Sequence, residues 1–156
     1  MGGGGSCTFN ACALLSSSVV GQALQTMYGA GTESDTPGQG GLPNAYACEY
    51  RSADGHTFVN LSISCNVANL QNNQSLYNSF YQGVSNTPVS LSGTDAAFWV
   101  PSTQDGGSTL GSGFLNVFFG GHSEFTITLF VYSGSPVDGQ AAATQMAQEV
   151  VKNLRL

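Results

Sequence analysis

Charged side chains are scarce in this sequence of 156 residues. They make up 8% of the chain, and only three are basic, Arg51, Lys152 and Arg155. The net charge of −6 and the pI near 4.3 argue against nonspecific binding to nucleic acid, which needs Lys and Arg to displace counterions from phosphates. The same scarcity argues against electrostatic docking on anionic lipid. We therefore expect neither nucleic acid nor an anionic membrane surface as the partner.

Long hydrophobic runs are also absent. No stretch approaches the roughly 20 apolar residues that cross a bilayer as a helix, and no signal peptide begins the chain. The sequence thus predicts a mature or trimmed domain without a transmembrane segment. Residues 1–6, Met-Gly-Gly-Gly-Gly-Ser, are either a flexible expression linker or a native tether in which Met1 replaces the lipid-bearing cysteine of a bacterial lipoprotein. In both cases residues 7–156 are expected to fold as a single α+β domain.

Four cysteines are present, Cys7, Cys12, Cys48 and Cys65. An even number of thiols in a compact domain is most simply explained by two disulfides, which persist outside the reducing cytosol. A reactive dithiol is the alternative, but it would require a Cys-x-x-Cys motif or a cationic neighbourhood, and the sequence has neither. The cysteines therefore predict an extracytoplasmic protein, secreted or membrane-anchored, with structural disulfides. Their spacing leaves the pairing open.

Hydrophobic periodicity predicts three helices. The first has apolar residues spaced three and four apart over residues 19–28, with Ser16 or Ser17 as its N-cap. The second covers residues 68–82. The third begins from Asp138, and its apolar face consists of Ala143, Ala147, Val150, Val151 and Leu154.

Alternation of apolar and polar side chains predicts five strands. They cover residues 46–50, 59–65, 95–100, 114–119 and 124–132. The Gly- and Pro-rich residues 29–43 are expected to form a surface loop, and a second glycine-rich loop is expected between the third and fourth strands.

The predicted elements follow the order α-β-β-α-β-β-β-α. Runs of antiparallel strands with segregated helices define the α+β class, here an antiparallel sheet of about five strands with helices packed on one side. The unit of a helix followed by a hairpin occurs twice, which suggests an internal duplication. In that duplication residues 46–50 and 96–100 hold equivalent places.

Two histidines stand beside carboxylates at the predicted hairpin tips. Asp54 and His56 are two residues apart, as are His122 and Glu124, and such pairs share a face of an extended strand. If the tips converged, the four side chains could bind zinc or another divalent ion. The alternative is that they serve solubility and turn geometry. We favour the alternative and predict no bound metal.

Aromatic residues provide a second candidate site. Phe98 and Trp99 are adjacent on a strand, so one is expected to face the helices and the other the opposite side of the sheet, together with Phe130 and Tyr132. Exposed aromatic surface among neutral polar neighbours suits a sugar, a peptide or a protein partner. The alternative is that a helix or a second copy of the chain covers this face.

Four short motifs resemble a family of bacterial secreted and lipoprotein domains of unknown function, typical of actinobacterial envelopes. They are Cys12-Ala-Leu-Leu-Ser16, Ala47-Cys-Glu-Tyr50, Gly93-Thr-Asp-Ala-Ala-Phe-Trp99 and a C-terminal Ala-rich helix ending in Leu154. The resemblance implies a disulfide between Cys12 and Cys48, which leaves Cys7 to pair with Cys65. It implies location and fold, and no activity.

No catalytic or cofactor motif is recognisable, since both the Gly-x-Ser-x-Gly elbow and the phosphate-binding loop are missing. We therefore expect a noncatalytic extracytoplasmic domain, from a lipoprotein, that binds a ligand or another envelope protein. One alternative is a structural or adhesive surface subunit that acts by self-association. Another is a metal-dependent hydrolase that uses the histidine hairpins.

Overall fold

The protein combines an antiparallel sheet with helices, as seen in a computed structural model that describes residues 8–38, 44–64, 87–104, 107–121, 123–131 and 137–156. The helices in these ranges are α1 (Ala11–Leu14), α2 (Ser17–Leu24) and α3 (Gly139–Leu154). The strands are β1 (Thr32–Glu33), β2 (Ala45–Arg51), β3 (Phe58–Ser64), β4 (Thr87–Pro88), β5 (Ala96–Gln104), β6 (Gly107–Phe119) and β7 (Ser123–Phe130). The predicted α+β class is confirmed. The helix predicted over residues 68–82 lies outside the described residues.

The described strands form one sheet in the order β1-β2-β3-β7-β6-β5-β4, with every neighbouring pair antiparallel. The five predicted strands correspond to β2, β3, β5, β6 and β7. The prediction of five was too low because β1 and β4, one at each edge, are only two residues long. Two residues cannot display the alternation that identifies a strand in a sequence.

The hairpin of β5 and β6 is longer than predicted. Residues between Pro101 and Gly113 were expected to form a glycine-rich loop, but Thr103 pairs with Ser108 and Gln104 with Gly107. The register shifts between Pro101 and Thr103. Glycine weakens a strand locally, yet β5 and β6 pair again at Thr103 and Gln104, beyond the irregularity.

The hydrophobic core lies between one face of the sheet, here called the inner face, and the helices. The strands β3 and β7 supply Val59, Leu61, Ile63, Phe125, Ile127 and Leu129, all at most 1% exposed. The helix α3 packs against β5, β6 and β7, and α2 packs against α3. The alternation of buried and partly exposed side chains predicted for β3 and β7 is confirmed. The apolar face predicted for α3 is confirmed as well. The opposite side of the sheet is called the outer face below.

The first long helix is shorter than predicted. Ser16 caps α2 by accepting a hydrogen bond from the backbone N–H of Val19 at 3.2 Å. Gln25, in the left-handed conformation with φ of 56°, ends the helix. The chain then turns away, so Met27 is 81% exposed instead of lying on the core face, and Tyr28 forms a β-bridge beyond the helix.

A disulfide between Cys12 and Cys48 joins α1 to β2, with the two Cα atoms 5.0 Å apart. The backbone N–H of Cys12 also donates to the Glu33 carboxylate on β1 at 3.2 Å. Gly31 lies beside the bridge, where a Cβ atom would stand 2.1 Å from the Cys48 sulfur. The pairing implied by the family resemblance is therefore present. The second predicted pair, residues 7 and 65, lies outside the described ranges.

The strand order bears on the suspected duplication. The two-residue strands β1 and β4 lie at opposite edges of the sheet and pair with β2 and β5, which contain residues 46–50 and 96–100. These two strands therefore occupy matching positions next to the edges, and the internal duplication stays a prediction.

Candidate ligand surface

Phe98 and Trp99 face opposite sides of the sheet, as adjacent strand residues must. Trp99 belongs to the core on the inner face, and Phe98 clusters with Val100 and Phe118 on the outer face. Phe98 and Trp99 are each only 4% exposed, so neither supplies the exposed aromatic surface that was expected of them. The Trp99 ring fits against β6 because Gly113 has no side chain. A Cβ atom at that position would lie 2.7 Å from the ring.

Phe130 is the predicted surface aromatic that the structure leaves exposed, at 43%. It lies on the outer face at the end of β7, opposite Phe58 on β3. The two rings stack nearly parallel, with centroids 4.4 Å apart and an interplanar angle of 7°. The fourth predicted aromatic, at position 132, lies outside the described residues.

Arg51 on β2 extends the stack, because its guanidinium lies 5.6 Å from the centroid of the Phe58 ring. The same guanidinium forms an ion pair with Glu49 at 2.6 Å. Arg51, Phe58 and Phe130 thus form a ladder across three adjacent strands. The positive charge of Arg51 is balanced by Glu49 on the same strand. Sequence reasoning missed Arg51 and Phe58. Phe58 could have been identified from the sequence, because it precedes Val59 on the same strand. Since Val59 faces the core, Phe58 must face outward.

A strip of uncharged polar residues continues from the ladder along the two central strands. The outer-face positions that follow are Asn60 and Ser62 on β3, and Thr128 and Thr126 on β7. Register pairs Asn60 with Thr128 and Ser62 with Thr126, and all four are partly exposed. None of these four side chains forms a hydrogen bond with another residue that the structure describes. Their partly exposed hydroxyl and amide groups face the same side of the sheet as Phe130.

Asn116 lies beside this strip. It is on β6, paired with Thr126 on one side and with Phe98 on the other. Only 9% of it is exposed, and within the described ranges its Oδ1 atom has no hydrogen-bond partner. Leaving a buried acceptor unpaired costs free energy, so a donor that reached this atom would be stabilised.

Glu124 stands at the far end of the strip from Phe130. It is half-buried between Ser64 on β3 and Phe118 on β6. Burial raises the pKa of its carboxyl above the usual range, because desolvation penalises the charged form. The candidate surface thus ends on a carboxyl group that holds its proton more tightly than an exposed glutamate does.

The two hairpin tips do not converge. Because β3 and β7 are antiparallel, Phe58 pairs with Phe130, whereas Ser64 pairs with Glu124. The tip that carries Asp54 and His56 precedes Phe58, so it is separated from Glu124 by the length of β3, about 20 Å at 3.4 Å per residue. The condition for a shared metal site is therefore not met by these residues, and position 122 lies outside the described ranges.

The Asp54 carboxylate instead organises its own turn. It accepts hydrogen bonds from the Ser52 hydroxyl and, at 3.0 Å, from the backbone N–H of His56. These bonds, with the Ser52 bond contributing most, lower the pKa of Asp54. Among the residues that the structure describes, no group of three or more His, Cys, Asp or Glu side chains is placed to hold a metal ion.

The described helices include none that is both long and apolar enough to cross a membrane. No protein-family model matches the chain, and no curated protein is significantly similar to it. The fold and the surface therefore define the protein as a disulfide-linked α+β domain with an aromatic and polar outer face.

Proposed function

We propose that the protein is a noncatalytic extracytoplasmic domain, from a lipoprotein, that binds a ligand or another envelope protein through the outer face of its sheet. The observation that carries this proposal is the exposed Phe130 ring, held against Phe58 at 4.4 Å. An aromatic side chain that is already fixed loses little entropy on binding, and it offers a large apolar contact.

The extracytoplasmic location is supported by the disulfide between Cys12 and Cys48. Disulfides of this kind persist in oxidising compartments and are rare in the cytosol. A surface that carries few charges is also suited to an exposed setting, because its net charge changes little with pH outside the range where its carboxylates titrate.

The test is a thermal-unfolding screen of the oxidised protein against cell-wall fragments, oligosaccharides, lipid vesicles and divalent metals with a chelator control. A ligand present at 100 times its dissociation constant should stabilise the folded state by about 2.7 kcal/mol. Phe130→Ala should reduce the stabilisation to about 1.4 kcal/mol, because a tenfold weaker ligand is then present at only about 10 times its dissociation constant. The matched control is Leu156→Ala, which removes an apolar side chain of similar exposure, 45% against 43%, and should keep the shift.

Three outcomes would contradict the proposal. A ligand shift that is as large in Phe130→Ala as in the wild type would place binding elsewhere. A shift caused by a metal alone would favour metal-dependent chemistry. The absence of any shift, together with oligomers that grow with protein concentration in analytical ultracentrifugation, would favour the alternative of a self-associating surface subunit.

A further inference from the structure

We infer that the ligand of the outer face is a neutral oligosaccharide, held by its ring faces on Phe130 and by its hydroxyl groups along the polar strip. This inference rests on the proposed function and names the chemical class that the same surface would take. Four features of the surface lead to it, namely the exposure of Phe130, the neutrality of the strip, the length of the strip and the unpaired acceptor of Asn116.

The Phe130 ring presents the geometry that a sugar needs. Phe58 covers one face of the ring, with an interplanar angle of 7°, yet Phe130 remains 43% exposed. Phe130 therefore keeps surface open to a ligand beside its stacked neighbour. One face of a sugar ring carries several C–H groups, and such a face packs flat against an aromatic ring with both surfaces removed from water.

The polar groups beside Phe130 match sugar hydroxyls in kind. A sugar hydroxyl both donates and accepts, and so do the hydroxyl and amide side chains of Asn60, Ser62, Thr126 and Thr128. None of these four residues is charged. The nearby cation, Arg51, is paired with Glu49 at 2.6 Å, so the part of the surface between Phe130 and Thr126 offers no unpaired charge that would favour an ionic ligand. Glu124 lies beyond this part, at the far end of the strip.

The strip is long enough for more than one sugar unit. From the row of Phe58 and Phe130 to the row of Ser62 and Thr126 is four residues along each strand, or about 14 Å. In the last of these rows, Asn116 lies next to Thr126 with its Oδ1 atom buried and unpaired. An oligosaccharide lying along the strip could bring a hydroxyl or acetamide donor to this acceptor.

The topology disfavours an extended peptide as the occupant. Peptides that recognise a sheet add a strand to an exposed edge and bind through main-chain hydrogen bonds. The strip lies on β3 and β7, and each of these strands is already hydrogen-bonded to a neighbouring strand on both sides. Only side chains remain available on this face, as binding to sugar rings and hydroxyls requires.

The experiment is calorimetric titration of the oxidised protein with hexamers of N-acetylglucosamine and of glucose. We expect at least one hexamer to bind, with an affinity that does not change between low and high salt because the ligand is uncharged. Phe130→Ala should weaken binding about tenfold through the lost ring contact. Thr128→Val, which keeps the branched shape of the side chain and removes the hydroxyl, should weaken it about fivefold.

Two controls keep the result interpretable. Leu156→Ala should leave the affinity unchanged, and a thermal melt of each variant should show that it is folded. A hydrophobic hexapeptide and anionic lipid vesicles serve as probes of other ligand classes.

The outcomes separate this inference from the proposed function. If neither hexamer binds but the peptide or the vesicle binds in a manner lost in Phe130→Ala and kept in Thr128→Val, the carbohydrate inference is overturned and the proposed function stands. If no probe of any class binds, both are overturned. If a hexamer binds equally well to the wild type, Phe130→Ala and Thr128→Val, the inference is overturned because the sugar lies elsewhere.

Discussion

The inner and outer faces of the sheet use the same strands in opposite ways. On β3 and β7 the inner positions, such as Leu61 and Ile127, are apolar and fully buried, whereas the outer positions alternate with them and carry Asn, Ser, Thr and two Phe that are partly exposed. In these two strands stability is therefore concentrated on the face that the helices cover. The other face of these two strands is free to display groups for recognition, because its side chains contribute little to the core.

The largest expected effect comes from the bridge that ties the helix layer to the inner face. Replacing both Cys12 and Cys48 by Ala should lower the free energy of unfolding by about 4 kcal/mol, because the closed loop spans 36 residues of sequence separation. Urea unfolding of the variant and the wild type measures the difference. A loss below about 1 kcal/mol would show that the fold does not depend on this link.

A direct comparison of the two faces uses neighbouring residues of one strand. Leu61→Ala, at a fully buried inner position, should cost about 3 kcal/mol through lost burial and a residual cavity. Ser62→Ala, the next residue and on the outer face, should change stability by less than about 0.5 kcal/mol. Equal losses in urea unfolding would contradict the assignment of stability to the inner face.

A glycine tests how closely the chain packs around the disulfide. Gly31→Ala would place a Cβ atom 2.1 Å from the Cys48 sulfur and 2.8 Å from the Tyr50 ring, so overpacking should cost about 2 kcal/mol. Gly29→Ala is the matched control, since a Cβ atom there would meet nothing within 4 Å. Thermal melts should show a lower midpoint for the first variant alone, and a lower midpoint for both would point to a backbone effect instead.

The smallest effect concerns the carboxyl at the end of the outer face. Because the pKa of Glu124 is raised in the folded state, the folded protein binds its proton more tightly than the unfolded chain does. That contribution to stability is present below the unfolded pKa, near 4.3, and is lost as the pH rises through the folded pKa. The wild type should therefore lose stability relative to Glu124→Gln between pH 4 and pH 8.

Asp54 supplies a control of opposite sign for this pH experiment. Its pKa is lowered by hydrogen bonds, so its contribution is present above the unfolded pKa and is lost as the pH falls through the folded pKa. Relative to Asp54→Asn, the wild type should thus gain stability as the pH rises. Urea unfolding at pH 4 and pH 8 measures the Glu124 difference, and urea unfolding at about pH 2 and pH 5 measures the Asp54 difference, because the unfolded pKa of Asp is near 3.9. An identical trend for the two variants would contradict the environments described for these carboxyls.

The sequence predicts which face of the sheet most residues of the candidate site occupy. It does not predict which residue of the adjacent strand each of them contacts. The outward position of Phe130 follows from its phase relative to the buried Leu129, and Thr126 and Thr128 follow from the same alternation. That Phe58 stacks on Phe130 could not be foreseen, because it depends on β3 pairing with β7 in one particular register. The burial of Phe98 was likewise undetermined, since alternation assigns a side chain to a face and does not say whether that face is covered.

The sequence alone determined which residues are apolar at the period of a helix or a strand, and it therefore determined the α+β class, the five long strands, a cap at Ser16 or Ser17 and the cap at Asp138. Tertiary structure decided the strand order, the two short edge strands and the separation of the hairpin tips that keeps His56 away from Glu124. The physical reason is the separation along the chain between the residues that interact. Periodicity and capping act within a few residues along the chain, whereas strand pairing joins residues far apart in sequence and is selected by the packing of the whole sheet.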